Sequence, residues 1–491
     1  MLNKTNQVKS SKNASPREIE RNLFSPVSWG LPIAAVDSLQ QRLRDFHQRY
    51  VDCFKTQTRD ASEKAFSYVS ALLRSVTQRN FANIGRMTNT CGQQIHHFMS
   101  NSPWSGQAVL QQVRAEIAHI EEFQTGSMLL LDESADEKAT DHTVGAAKQH
   151  NGRLGKVETS QVGTFLAFVN HDVWTWVDGE LFLPEAWCGA PKAKQRKKLG
   201  VPTDREFATK IELGFKMIVR AKDEGLPFEA VGCDTLYGRS VWLRRQLDAQ
   251  AIVYMADVPA DTQVYLRCPE YGVPKSQKGG KPFTKPRVLA SAKAVEVRTL
   301  VEGLQFARIR VRAVERGFLE DEFATLRVWT ARDEYAPHEE VLLVRRDRSG
   351  RLYYALSNAV SATIERLAWM KCARHFIERS NQEAKSELGW DELRAQNYVA
   401  WEHHLALTCL ASWFIAQTQR AWRLEHRRDE SLKQELAMDE LPRLSMANVR
   451  EMLRAAMPVP QLTPEEATDL VVRHLVNRAR SRRSRMKHSV F

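Results

Sequence analysis

Residues 127–134 read SMLLLDES, and four segments downstream give that run its meaning: QVGTFLAFV (161–169), VWTWVDGELFLP (173–184), FEAVGCD (228–234) and AIVYMADVP (251–259). Each is a short run rich in Val, Leu, Phe or Trp, bounded by Gly, Asp, Asn or Pro, as buried strands are. FATKIELGFKMIVRAKDEG (207–225) instead spaces its apolar residues three and four apart, and so does the stretch from Ser240 to Asp248, so both read as helices. Three strands, a helix, a strand, a helix and a strand make an α/β arrangement.

That order is the one expected of a ribonuclease-H-like core. Upstream, AVDSLQQRLRDFHQRYVDCF (35–54) and AFSYVSALLRSV (65–76) are helical in pattern. Shorter helices follow through NFANIGRM (80–87), QQIHHFMSNSPW (93–104) and SGQAVLQQVRAEIAHI (105–120), broken at Thr90-Cys91-Gly92 and Asn101-Ser102-Pro103. Short helices with tight turns suit a helix-turn-helix that lays one helix in a major groove, and equally a plain helical bundle. Beyond Pro259 the helical signal stops: a basic loop, PKSQKGGKPFTKPR (274–287), leads into FARIRVRAV, TLRVWTA, EVLLVRR and LYYALSN. Helices resume at Ser361. The expected division is a flexible N-terminus (1–35), a helical DNA-binding region (36–122), the first part of the core (123–258), a β-rich insertion (259–362), the last part of the core (363–425) and a helical, basic C-terminal region (426–491).

At 491 residues the chain has room for about three domains of ~150 residues. Apolar residues at 43% and charged residues at 26% exclude a disordered or collagen-like chain. The longest apolar run, Leu405 to Ala416, is broken by Thr408, Cys409 and Ser412 and falls short of the ~20 residues that cross a bilayer, so no membrane role is expected. The polar start, MLNKTNQVKSSKNASPREIE, has no signal-peptide core, which points to the cytoplasm. Seven scattered cysteines (53, 91, 188, 233, 268, 372, 409) form no C-x-x-C and read as free thiols. The adjacent pairs His96-His97 and His403-His404 face different sides of their helices, which argues against a structural zinc site. Lys and Arg exceed Asp and Glu by 71 − 59 = +12, and seven of the cations, Arg482 and Arg483 among them, lie in the last 21 residues, which contain no acid. Such a tail reads as a nucleic-acid-binding arm or as a solubilising end.

Asp132 ends the run MLLL, and Asp234 ends EAVGC. Two buried strands that end in Asp put both carboxylates at one edge of a sheet, where ligands of α/β proteins gather, although an Asp after a strand also serves as a simple turn or helix cap. In the helix around Glu378, Lys371, Arg374 and Lys385 lie within about 40° of Glu378 on a helical projection. That stripe is either a solvated face with an i,i+4 pair or a metal-binding carboxylate flanked by phosphate-gripping cations. Three carboxylates are what two-metal phosphodiester cleavage requires, and oxygen-only ligands suit Mg²⁺ or Mn²⁺.

Several longer blocks resemble the DDE transposases of bacterial insertion sequences, in particular insertion sequence family 701. LLLDES (129–134) and TVGAAKQHNGRLGKVETSQVGTFLAFV (143–169) resemble the block of the first Asp. ELFLPEAWC (180–188), VPTDREFATKIELGFKMIVRA (201–221) and GCDTLYGRS (232–240) resemble that of the second, and RLAWMKCARHFIERSNQEAKSELGWDEL (366–393) that of the third acid. HHFMSNSPW (96–104), FARIRVRAVERG (306–317), LLVRRD (342–347) and YYALSN (353–358) extend the likeness over most of residues 60 to 420.

The resemblance implies Asp132, Asp234 and Glu378 as a metal-binding triad for two Mg²⁺ ions, with Mn²⁺ as a substitute. Related enzymes carry Tyr, two residues, Arg, three residues, Glu, six residues, Lys around the last acid. Arg374, Glu378 and Lys385 keep that spacing, while Lys371 replaces the Tyr as a further DNA-binding cation. Glu133 is a rival for the first ligand, but strand alternation turns neighbours to opposite faces. Tyr237 and Gly238 are expected to shape the loop after Asp234. Lys192, Lys194, Arg196, Lys197 and Lys198 form a basic loop that tracks DNA backbone or is merely solvated. Trp329 either stacks on a flipped base or fills a core. The expected enzyme is a Mg-dependent DDE transposase, nucleoid-associated, that binds the inverted repeats of its element, cleaves both ends and joins them to target double-stranded DNA as a homodimer in a synaptic complex. A catalytically silent DNA-binding descendant is the alternative.

Overall fold

The computed structural model describes residues 23–151, 155–171, 173–274, 283–289, 292–314, 317–332, 335–459 and 463–488. The polar stretch 1–22 and most of the basic loop around Lys278 lie outside these. A ten-stranded mixed sheet runs through the molecule. Its strands are β1 (Ser127–Glu137), β2 (Ala147–Asn151), β3 (Lys156–Asn170), β4 (Val173–Leu181), β5 (Ala230–Cys233), β6 (Tyr254–Val258), β7 (Ala307–Val314), β8 (Gly317–Arg332), β9 (Tyr335–Arg346) and β10 (Leu352–Ser357). Their order is β7-β8-β9-β10-β6-β5-β1-β3-β2, with β4 also paired to β3.

The centre of the sheet explains the uninterrupted apolar runs. Met128, Leu129, Leu130 and Leu131 of β1 are fully buried, lying parallel to β5 on one side and antiparallel to β3 on the other. Strands covered on both faces lose the in–out alternation of a half-exposed sheet. Between β4 and β5 runs α1 (Lys210–Asp223), opened by a capping box in which Thr209 and Glu212 satisfy each other's backbone N–H groups. Between β5 and β6 runs α2 (Val241–Ala249), with Ser240 as its cap. The expected helix–strand–helix–strand order after β4 is therefore present within a mixed sheet, while four strands and not three precede it, β2 being the one the sequence pattern did not pick out.

The β-rich segment does not fold away from this sheet. β8, β9 and β10 form an antiparallel meander whose last strand pairs with β6, Tyr354 opposite Val258 and Leu356 opposite Ala256. Beside it lies a small second core of Val258, Val264, Val297, Val328, Leu342, Val344, Tyr354 and Leu356. Trp329 is half-buried on β8, its backbone exchanging two hydrogen bonds with Tyr265.

After the sheet come α3 (Ile364–Ala373), α4 (His375–Ser386) and α5 (Tyr398–Glu425). α5 passes through the interior against Ser62–Arg74, Gly92–Asn101, Gly106–Ala118 and β4, so the helices that precede β1 share one hydrophobic core with the sheet. No helix among the described residues is long and apolar enough to cross a membrane. His403 and His404 are buried on α5 and point to different partners, His403 to the Met99 and Trp104 carbonyls, His404 to the Trp390 carbonyl and the Tyr68 hydroxyl. Both serve the core.

His404 is satisfied as a neutral ring: Nε2–H donates to Trp390 O at 3.1 Å and Nδ1 accepts from Tyr68 Oη–H at 3.0 Å. Burial lowers its pKa to about 4 from 6.5. The unfolded chain therefore takes up a proton in a range where the folded one resists it, and stability is lost as pH falls from 6.5 toward about 4. Thermal midpoints should fall over that window, and His404→Gln, though less stable at neutral pH, should flatten this part of the profile.

Candidate active site

The register of the three parallel strands decides where acids gather. Leu131 of β1 pairs with Cys233 of β5, and Cys233 pairs with Ala256 of β6. The next residue on each strand is an aspartate: Asp132, Asp234 and Asp257. All three open into one cleft of about 850 Å³, joined there by Glu133, Lys210, Arg374, Glu378 and Lys385.

Asp132 accepts the backbone N–H of Glu133 on Oδ1 at 2.8 Å. Asp234 caps the turn Thr235–Gly238, its Oδ1 accepting from Leu236 N–H at 2.9 Å and Tyr237 N–H at 3.4 Å. Gly238 is where this turn meets β6. A Cβ there would stand 2.0 Å from the Asp257 carbonyl oxygen, so only glycine lets the Asp234 turn press onto the neighbouring strand. The expected shaping role of Gly238 thus has a steric basis, and Tyr237 beside it is fully buried.

Crowding shows in the protonation of these groups. Burial, then the neighbouring Asp234 and Glu133 carboxylates, push Asp132 up to about 8. Asp234 is also raised, by burial and then by Glu133. Glu378 moves the other way, held down by His375 and by Arg374, whose guanidinium donates to its Oε1 at 2.7 Å. Two desolvated, mutually repelling carboxylates with oxygen-only donors fit a hard divalent cation. Glu378 reaches the same cleft from the first turn of α4 but is turned to Arg374. Among the described residues no three His, Cys, Asp or Glu side chains lie close enough to enclose an ion as they stand.

The sequence-predicted residues divide into several groups. Asp132, Asp234, Arg374, Glu378 and Lys385 come together in the cleft. Lys371 has a different occupation from the DNA contact expected of it: it is buried, and its Nζ donates to both oxygens of Asp257 at 2.7 and 2.8 Å. Lys385 is tethered to β1 through the Ala135 carbonyl at 3.0 Å and Asp136 at 3.1 Å. Lys197 and Lys198 are exposed on the short helix Ala193–Lys198, while Lys192 pairs with Asp141 and Arg196 bonds backbone carbonyls. Arg482 and Arg483 are exposed on the helix Pro464–His488. Glu133, expected to face away, lines the cleft too and meets Lys210 Nζ at 3.2 Å.

Lys210 and Asp257 were missed. Asp257 carries the same signal as Asp132, an acid inside a strand after a run of buried residues, YMAD beside LLLD. Lys210 had no such signal, since its position depends on how α1 starts over the sheet.

The DDE superfamily endonucleases match residues 49–318, a span that includes Asp132, Asp234 and Asp257 and ends before Glu378. The probable transposase for insertion sequence element IS701 of Microchaete diplosiphon is 23% identical over 370 residues, covering 72% of this chain and 82% of that protein. Among solved structures, a piggyBac transposase synaptic complex with hairpin DNA aligns over 94% of this chain and 85% of the other at 10% identity, with a TM-score of 0.34.

Gly238→Ala should destabilise the chain by about 2–4 kcal/mol in urea unfolding, because the clash is with backbone that cannot swing aside. An unchanged midpoint would mean that the Asp234 turn does not press on β6 in solution.

Proposed function

The chain belongs to the DDE superfamily endonucleases, and from that premise we propose that it is the transposase of a bacterial insertion sequence, acting on double-stranded DNA in the cytoplasm. The observation that supports this reading is the meeting of Asp132, Asp234 and Glu378 in one cleft, on two neighbouring parallel strands and a helix, with Arg374 and Lys210 beside them. The sheet centred on β1, β5 and β6 is read as a ribonuclease-H-like core, entered by the β-rich segment between β6 and α3.

DDE-type endonucleases generally use divalent metal ions. Asp132, Asp234 and Glu378 would hold two Mg²⁺, with Mn²⁺ as substitute, and the metal would supply Lewis-acid activation of the attacking oxygen and stabilisation of the leaving one. The chain's own groups do the rest. Asp234, fixed by two backbone N–H groups, presents its carboxylate with little reorganisation. Arg374 and Lys210 put positive charge at the cleft wall, where a scissile phosphate and its neighbours would lie. Lys385 ties α4 to β1 and so keeps Glu378 at a set distance from Asp132. Lys197, Lys198, Arg482 and Arg483 would follow the flanking phosphates, a contribution that falls with rising salt.

At each inverted repeat, water attacks the phosphorus and the bond to the 3′ oxygen breaks, leaving a 3′-hydroxyl on the element. That hydroxyl then loses its proton and attacks a target phosphodiester in line. One P–O bond forms as another breaks, and the target strand leaves with its own 3′-hydroxyl. Two chains in a synaptic complex would treat both ends of the element together.

A labelled fragment carrying the element's end, incubated with a plasmid and Mg²⁺, should yield joined product with the unaltered chain. Asp132→Asn, Asp234→Asn and Glu378→Gln should each abolish cleavage and joining while end binding persists. Normal cleavage by one of these variants would remove that residue from the site. Tight end binding with no cleavage in Mg²⁺ or Mn²⁺ would instead identify a silent DNA-binding descendant, and cutting without joining a nuclease.

A further inference from the structure

Asp257 belongs to no part of the triad, yet it organises one wall of the cleft. It receives Lys371 Nζ on both oxygens at 2.7 and 2.8 Å and forms an ion pair with Arg374, whose Nε stands 3.1 Å from Oδ2. Arg374 in turn donates from its far nitrogen to Glu378 Oε1 at 2.7 Å. The four side chains form one line, Lys371–Asp257–Arg374–Glu378, with side-chain exposures of 5, 13, 25 and 49%. Its fixed end is in the core and its loose end is Glu378. Arg374 also feels the charges of Asp132 and Asp234, so its guanidinium is the internal counter-ion of the acid cluster.

We propose that Asp257 is a positioning residue which, by holding Arg374, sets how readily Glu378 is released to a divalent cation at Asp132 and Asp234; the inference rests on the reading of those three acids as cation ligands. With Asp257 in place, Arg374 keeps a carboxylate partner when Glu378 leaves it. Without Asp257, releasing Glu378 would leave a three-quarters-buried guanidinium with no carboxylate among the described residues at ion-pair distance, only the more distant charges of Asp132 and Asp234 that an entering cation engages. Breaking a buried pair by removing one partner is strongly unfavourable. Glu378 would then stay with Arg374, and cation binding would weaken. Arg374 has the opposite influence, because it competes for Glu378 and its charge repels an entering cation. The two residues therefore have effects of opposite sign, which a purely structural role for both would not give.

The test is Mn²⁺ binding to the full-length, DNA-free chain, read from the electron paramagnetic resonance signal of free Mn²⁺. Asp257 is best removed as Asp257→Asn together with Lys371→Met, since Asp257→Asn alone leaves a buried ammonium unpaired. The double change replaces a neutral ion pair by a neutral pair, so the net charge near the cleft is unaltered. It should weaken Mn²⁺ binding about tenfold, as expected for one charge-assisted contact. Arg374→Gln should tighten it, and in that background the Asp257 and Lys371 changes should have no further effect. Unchanged affinity in the double variant, or an undiminished loss in the Arg374→Gln background, would overturn the proposal. Should the double variant fail to fold, weaker or equal Mn²⁺ binding by Arg374→Gln would overturn it alone. Asp132→Asn separates the two levels of argument. If it loses Mn²⁺ while the Asp257 variants are flat, only this inference fails. If it binds Mn²⁺ as the unaltered chain does, the cation-site reading fails and takes the inference with it.

Discussion

Three adjacent parallel strands are held in register at Leu131, Cys233 and Ala256 by β1–β5 and β5–β6 pairing, and each of these residues is followed by an aspartate. Parallel pairing in this register sets the three aspartates side by side, and burial on both faces leaves little water there to screen their charges. The rest of the site follows from that crowding of negative charge. Asp132 is pushed up to about 8 by burial and by its neighbours. Gly238 is confined to a hydrogen side chain because the Asp234 turn and the Asp257 strand are in direct backbone contact. Such an edge is costly to a fold unless a cation is due there, which is the physical reason to read it as a site and not as a set of turn residues.

The cations around it are arranged by depth. Lys371 neutralises Asp257 from inside the core, Arg374 spans Asp257 and Glu378 at the wall, Lys210 meets Glu133 and Lys385 meets Asp136. A stripe of four charges on a helical projection therefore resolves into separate tasks. The stripe is in fact split between two helices that meet at Arg374: Lys371 packs α3 against β6, Lys385 ties α4 to β1, and Arg374 and Glu378 face the cleft.

The α/β character and the nearness of Asp132 and Asp234 were legible because buried parallel strands leave continuous apolar runs that stop at the acid, whereas Glu378 was pointed to by the resemblance to the DDE transposases, its helical stripe alone reading equally as a solvated face. The exchange of Lys371 from a DNA contact to a buried ion pair was not, because a helical projection shows which side a residue is on and not what the neighbouring strand offers it. The place of the β-rich segment was likewise hidden: FARIRVRAV and EVLLVRR read as strands, but only the pairing of Leu352–Ser357 with Tyr254–Val258 shows that they extend the central sheet. Glu133 lines the cleft despite the alternation rule, since strand alternation gives the face a side chain leaves from and not which long side chains reach a cleft.

The central claim is that the edge formed by Asp132, Asp234 and Glu378 holds a divalent cation, and the most direct measurement is affinity cleavage of the full-length chain. Fe²⁺ bound in place of Mg²⁺, with ascorbate and peroxide, generates hydroxyl radicals that cut the backbone beside the ion. The account expects cuts clustered near residues 132, 234 and 378, suppressed by excess Mg²⁺ and absent from Asp132→Asn. Cuts elsewhere in the chain, or the same pattern in Asp132→Asn, would contradict it.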